Sequence, residues 1–154
     1  MILGRINQKL STTSFAFTGE AKKFEYVQAM HSNGEYVLAQ VVDVLRENDK
    51  LTGMCEVIGF LENGRLQRLR TPLDSGSDVL LAEDEFVKKV LQVEEKAGAF
   101  VGTLDGRNNI RVLLDINKLI TGHMAIIAKS GSGKSFCCGV ILEELMEHNV
   151  PLVV

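Results

Sequence analysis

The sequence contains no tryptophan, and aromatic residues make up only 6% of it. Proteins that grip single-stranded nucleic acid stack its bases on such rings, so that mode of binding is disfavoured. Basic residues are not in excess. Seventeen Lys and Arg against 20 Asp and Glu leave a net charge of −3, which argues against a broad electropositive surface for nucleic acid. A few basic loops inside a ring pore would escape that argument. The three cysteines, Cys55, Cys137 and Cys138, lack metal-ligand spacing, and adjacent cysteines rarely pair. They are expected to be reduced and partly buried. No apolar run approaches the roughly 20 residues that cross a bilayer, and Met1-Ile2-Leu3-Gly4-Arg5 has no signal-peptide layout. A cytoplasmic protein without a membrane partner is expected.

What is present divides the chain by texture. Its 154 residues, 45% hydrophobic, suffice for one small domain plus part of another. Residues 1–80 carry signals of short strands. Ile2-Leu3-Gly4-Arg5-Ile6, Ser14-Phe15-Ala16-Phe17 and Phe24-Glu25-Tyr26-Val27 read as strands, and Glu35 to Leu45 as a long one. Asn33-Gly34 and Asn63-Gly64 are turn signals. The second turn joins Met54–Leu61 to Arg65–Arg70 as a hairpin. Five or six such strands with tight turns predict a small closed barrel or a sandwich. Thr71 to Gly76 breaks the pattern. Asp84 to Val93 has helical periodicity and is read, within residues 81–98, as a helical linker. Glu94-Glu95-Lys96 is read as its solvated end and Ala97-Gly98 as a stop.

Residues 99–154 read differently. Ile110–Leu114 is expected to be a strand, Asn117–Gly122 a short turn or helix, and Met124–Ala128 a buried strand. A helix over Ser135–Asn149 and a further strand from Leu152 complete the strand–loop–helix–strand order of a parallel sheet.

Between that strand and helix stands Ala128-Lys129-Ser130-Gly131-Ser132-Gly133-Lys134-Ser135, a small residue followed after four others by Gly-Lys-Ser. Gly131 and Gly133 allow positive φ and close approach of the backbone to phosphate. Consecutive N–H groups from Ser130 through Phe136 then form an anion nest, and the helix start adds its own unpaired donors. Lys134 is the expected catalytic residue, reaching the β- and γ-phosphates of ATP. The Ser135 hydroxyl is the expected Mg²⁺ ligand. Ser130, Gly131, Ser132, Gly133, Lys134, Ser135 and Phe136 are thus the expected ATP-binding set. Ala128 stands where glycine is commoner. Phe136, Val140, Ile141 and Leu145 should face a core, with Glu143, Glu144 and Glu147 toward water. The Mg²⁺ carboxylate, the residue that orients water and the transition-state arginine are expected beyond Val154. The 154 residues alone should therefore bind nucleotide poorly and hydrolyse it negligibly.

Other features read more simply. His123 is expected to be a strand-end residue, and His31 and His148 to be solvated. Arg65, Arg68 and Arg70 form a basic stripe. It is read first as the solvated face of an edge strand and second as a surface for DNA or a partner protein.

The run His123–Ser135, with Gly139–Leu145 and Val150–Val154 after it, resembles the HerA helicase-translocases of archaea. The opening Met1–Ile6 looks like the start of their HAS-barrel, a module they share with rotary ATP synthase subunits. Lys129 and Ala128 depart from the Gly-Ala-Thr usual in that family. The resemblance implies a HAS-barrel followed by a RecA-like P-loop ATPase domain. It also implies a homo-hexameric ring around double-stranded DNA, driven by ATP and Mg²⁺, with the barrel docking a NurA-type nuclease for DNA end resection and recombinational repair. Two alternatives share these features. One is a conjugation- or secretion-type P-loop ATPase. The other is a barrel docking module without activity of its own.

Overall fold

In the computed structural model, residues 1–8, 10–93 and 98–151 are described. They fall into two compact units, Met1–Gln92 and Val93–Val154. The expected strand at Leu152–Val154 and the solvated segment Glu94–Lys96 lie outside the described residues.

The first unit has strands β1 (Ile2–Gln8), β2 (Ser14–Gly19), β3 (Tyr26–Met30), β4 (Tyr36–Glu47), β5 (Lys50–Glu62), β6 (Arg65–Gln67) and β7 (Asp78–Leu81). Their order is β2-β1-β7-β3-β4-β5, and β2 pairs back onto β5. Six antiparallel strands thus close into a barrel, while β6 hangs on the far end of β5 as an edge. Among the described residues, closure leaves each of these six strands with a neighbour on both sides. Inward residues fill the interior: Phe15 and Phe17 from β2, Val37, Ala39 and Val41 from β4, with Ile6, Val27, Cys55 and Val79.

Two details of closure trace to particular residues. Gly4 pairs with Gly19 across β1 and β2. A Cβ on Gly4 would lie 2.1 Å from the Thr18 carbonyl oxygen, so the strands meet there only because neither residue has a side chain. β4 and β5 form one long hairpin whose turn, Asn48-Asp49, takes φ of 46° and 61°. Both residue types tolerate the left-handed region.

Helix α1 (Asp84–Leu91) belongs to this unit by its packing. Val87 and Val90 are fully buried, and the Phe86 ring meets Tyr36 of β4 edge-on, with centroids 6.5 Å apart. Leu38, two residues after Tyr36 and so on the same face of β4, is also fully buried but outside the interior cluster.

The second unit begins with a hairpin of β8 (Ala99–Leu104) and β9 (Arg107–Leu114). Helix α2 (Ile116–Thr121) follows, capped by the Asp115 side chain, which accepts from the Lys118 N–H. Helix α3 (Lys134–Glu147) packs against β8 and buries Ile141. Met124–Ala128, expected as a buried strand, pairs with no strand among the described residues, and Ile127 is 92% exposed. A parallel strand needs neighbours to satisfy its backbone. The neighbour expected from the sequence, Leu152–Val154, is not among the described residues.

Candidate phosphate-binding loop

The segment Ala128–Gly133 leads directly into α3. Gly131 and Gly133 have φ of 78° and 88°. A Cβ on either would meet nothing within 4 Å, so backbone conformation and not crowding selects glycine here. Gly133 is the N-cap of α3 and supplies no side-chain acceptor to the first turn. The first-turn donors of this helix are thus left for an external acceptor.

Around these glycines the loop is tied by its own polar groups. The Lys134 ammonium donates to the main-chain carbonyls of Ala128 and Lys129, at 3.0 Å each. The Lys129 carbonyl also accepts from the Ser132 hydroxyl at 2.6 Å and from the Ser132 N–H at 3.3 Å. One carbonyl therefore holds the turn together. Lys134 is half-buried, while Ser130, Ser132 and Ser135 are exposed. The structure thus brings Lys134 and the glycines together in a single tight turn. Ser135 lies in the first turn of α3, and its hydroxyl has no protein partner among the described residues. Free N–H donors, the Lys134 ammonium, the Ser135 hydroxyl and a loop that carries no carboxylate make a donor set that suits a polyphosphate with its divalent cation.

The faces of α3 differ from the sequence expectation at two positions. Phe136, assigned both to a core face and to the nucleotide set, is 78% exposed. Glu144, assigned to water, is half-buried, and its carboxylate accepts the Phe100 N–H at 2.7 Å. Apolar residues run around the whole helix, from Cys137 and Cys138 to Met146, so periodicity cannot single out one buried face. In the sequence, Lys129 stands out only as a departure from a family pattern. Its carbonyl's central place in the loop had no sequence signal, because any residue carries that carbonyl.

Outside the loop, Arg65, Arg68 and Arg70 are exposed and pair with no carboxylate among the described residues. Only Arg65 of the three lies in β6. His31 is half-buried, with Nε2 3.1 Å from the Thr71 hydroxyl. His123 and His148 are exposed. Cys55 is sealed inside the barrel, and burial pushes its thiol from 9.0 up to about 12. Cys137 and Cys138 are exposed. No helix among the described residues is long and apolar enough to cross a membrane.

Residues 99–154 match the family described as "Helicase HerA, central domain". The chain is 35% identical over 151 residues to a probable DNA double-strand break repair helicase HerA of Methanocaldococcus jannaschii, covering 97% of this chain and 30% of that protein. It is 32% identical over 103 residues to the DNA double-strand break repair helicase HerA of Pyrococcus furiosus, covering 67% of this chain and 18% of that protein. A second protein of M. jannaschii, a probable helicase, is 30% identical over 130 residues, or 84% of this chain and 23% of its own length. The chain thus spans less than a third of the length of these relatives. A closed barrel preceding a glycine loop at the head of a helix is the arrangement here, and the comparisons set it beside proteins described as helicases. More particularly, the chain belongs to the HerA helicase family.

Proposed function

We propose that this chain is part of an ATP-driven DNA translocase of the HerA type, which acts in DNA end resection and recombinational repair. The observation that carries the reading is the loop itself: Gly131 and Gly133 at positive φ, directly at an α3 start that no side chain caps. It stands in a chain 35% identical to a probable HerA repair helicase. In this reading residues 99–154 open a RecA-like ATPase domain and the closed barrel is a HAS-barrel.

The chain's own residues then divide the work. Backbone N–H groups of Ser130–Phe136 hold the phosphates of ATP. Lys134 exchanges its two carbonyl acceptors, Ala128 and Lys129, for phosphate oxygens and neutralises charge that grows during transfer. Ser135 supplies a hydroxyl ligand to Mg²⁺, which when bound neutralises phosphate charge and polarises the bond to be broken. In the full-length protein, six copies form a ring around double-stranded DNA, and the barrel docks a NurA-type nuclease.

The test uses the full-length protein. ATP hydrolysis stimulated by double-stranded DNA, a hexamer by analytical ultracentrifugation and co-elution with the nuclease are expected. A full-length preparation that binds no nucleotide in the presence of Mg²⁺ overturns the reading.

A further inference from the structure

The loop holds two lysines, and only Lys134 has a part in the proposed phosphate chemistry. Lys129 is exposed, and its side chain forms no ion pair or hydrogen bond among the described residues. Its main chain, in contrast, is the most heavily used group in the loop. The one carbonyl accepts from the Lys134 ammonium, the Ser132 hydroxyl and the Ser132 N–H. The two bonds from Ser132 hold that carbonyl even when Lys134 turns to a ligand, so the side chain projects from a fixed base, which lowers the entropy lost when it engages a ligand. An exposed ammonium rooted in this turn and not engaged by a carboxylate among the described residues is free to meet an anion held there.

We infer that Lys129 is a second phosphate-binding cation of this loop and favours the nucleoside triphosphate over the diphosphate. The inference rests on the nucleotide-binding reading of the loop. MgATP carries one more negative charge than MgADP, and Lys134 alone answers only one. The Lys129 ammonium answers the additional charge on the γ-phosphate. Coulomb attraction of this kind discriminates between ligands by charge and leaves the hydrogen bonds of the nest unchanged.

Lys129→Ala isolates the side chain cleanly, because every hydrogen bond holding this turn through Lys129 uses the main-chain carbonyl. In the full-length protein, fluorescent ATP and ADP analogues are titrated at fixed Mg²⁺ and low salt, without measuring turnover. Lys129→Ala is expected to weaken the triphosphate about tenfold, the loss of one charge-assisted contact, and the diphosphate less than about twofold. Lys129→Arg should restore most of the difference, and added salt should shrink it. Equal affinities in wild type and Lys129→Ala, or equal losses for both nucleotides, overturn the inference. Lys134→Ala serves as the separate control. If the wild-type protein binds neither nucleotide, the nucleotide-binding reading itself fails. If it binds both and Lys129→Ala changes neither, only the role of Lys129 fails.

Discussion

The carboxylate of Glu144, midway along α3, accepts the main-chain N–H of Phe100 at 2.7 Å. This bond fastens the helix that follows the glycine loop to the strand that opens the second unit, across 44 residues of sequence. A half-buried charge-assisted bond of this kind contributes about 1.5–3 kcal/mol. Glu144→Ala should destabilise this unit by about that much in chemical denaturation and speed amide exchange at Phe100. Glu144→Gln, which keeps an acceptor but loses the charge, should recover roughly half. An unchanged exchange rate at Phe100 in Glu144→Ala would show that the bond holds nothing.

Lys134 has a different kind of partner. Its two acceptors are carbonyls of its own loop, so removing the ammonium costs local order and not the fold. In the full-length protein, Lys134→Ala should lower ATP hydrolysis by at least about 100-fold, the scale for removing one charge-stabilising donor. Ring assembly should remain unchanged by sedimentation. Phosphate release at the wild-type rate would remove Lys134 from the catalytic role.

Gly133 tests the loop from the backbone side. Its φ of 88° is left-handed, and a Cβ there meets nothing. Gly133→Ala should therefore cost only the conformational term, about 1–2 kcal/mol, seen as a lowered melting temperature for this unit. Nucleotide affinity should fall by more than that cost implies, because relaxing φ re-aims the N–H groups at the start of α3. Retention of full affinity would mean that these amides do not shape the site.

Much of the fold is legible in the sequence, and the exceptions have physical causes. Asn63-Gly64 turns as expected, with φ of 51° and 73°, because that pair suits the twist of a hairpin. The Asn48-Asp49 turn passes unnoticed since no glycine marks it. β7 passes unnoticed as well. Asp78–Leu81 is only four residues long, yet it sits between β1 and β3 and completes the barrel. Its role is set by long-range pairing, which no local pattern reports. The glycine loop and its helix are legible because a local motif carries them. Met124–Ala128 is not, because an apolar run becomes a parallel strand only beside other strands. Glu144 shows the limit of helical periodicity: a glutamate reads as solvated until a distant N–H needs an acceptor.

Barrel closure depends on Gly4. A methyl group there would stand 2.1 Å from the Thr18 carbonyl oxygen and 2.9 Å from the Phe17 ring. Backbone cannot yield as a flexible side chain would, so Gly4→Ala should force β1 and β2 apart. The expected cost is about 3 kcal/mol or more, read as loss of the cooperative barrel transition or a steep fall in its midpoint. Gly34→Ala is the comparison. Gly34 also has positive φ, at 85°, but a Cβ there meets nothing, so its cost should stay near 1–2 kcal/mol. Equal effects at the two positions would mean that the crossing of β1 and β2 is not sterically tight.

Cys55 gives the barrel a dependence on alkaline pH. Its side chain is 1% exposed, and burial raises the thiol from 9.0 to about 12 by disfavouring the thiolate. Between those values the folded barrel keeps a proton that the unfolded chain releases. Stability from this group is therefore whole below pH 9 and is lost progressively as pH rises toward 12. A shift of about three pH units at about 1.4 kcal/mol each sets an upper limit near 4 kcal/mol. The measurement is a difference between wild type and Cys55→Ala, which cancels whatever the two proteins share. Alanine loses some packing at every pH, which offsets the two curves by a constant. The gap should then narrow as pH climbs from 9 to 12, because only the wild type has a thiolate to bury. Iodoacetamide at pH 8 offers an independent reading: Cys137 and Cys138 should react while Cys55 stays protected until the barrel unfolds. A gap that stays constant with pH, together with prompt labelling of Cys55 in the folded protein, would mean that the interior admits water at this thiol.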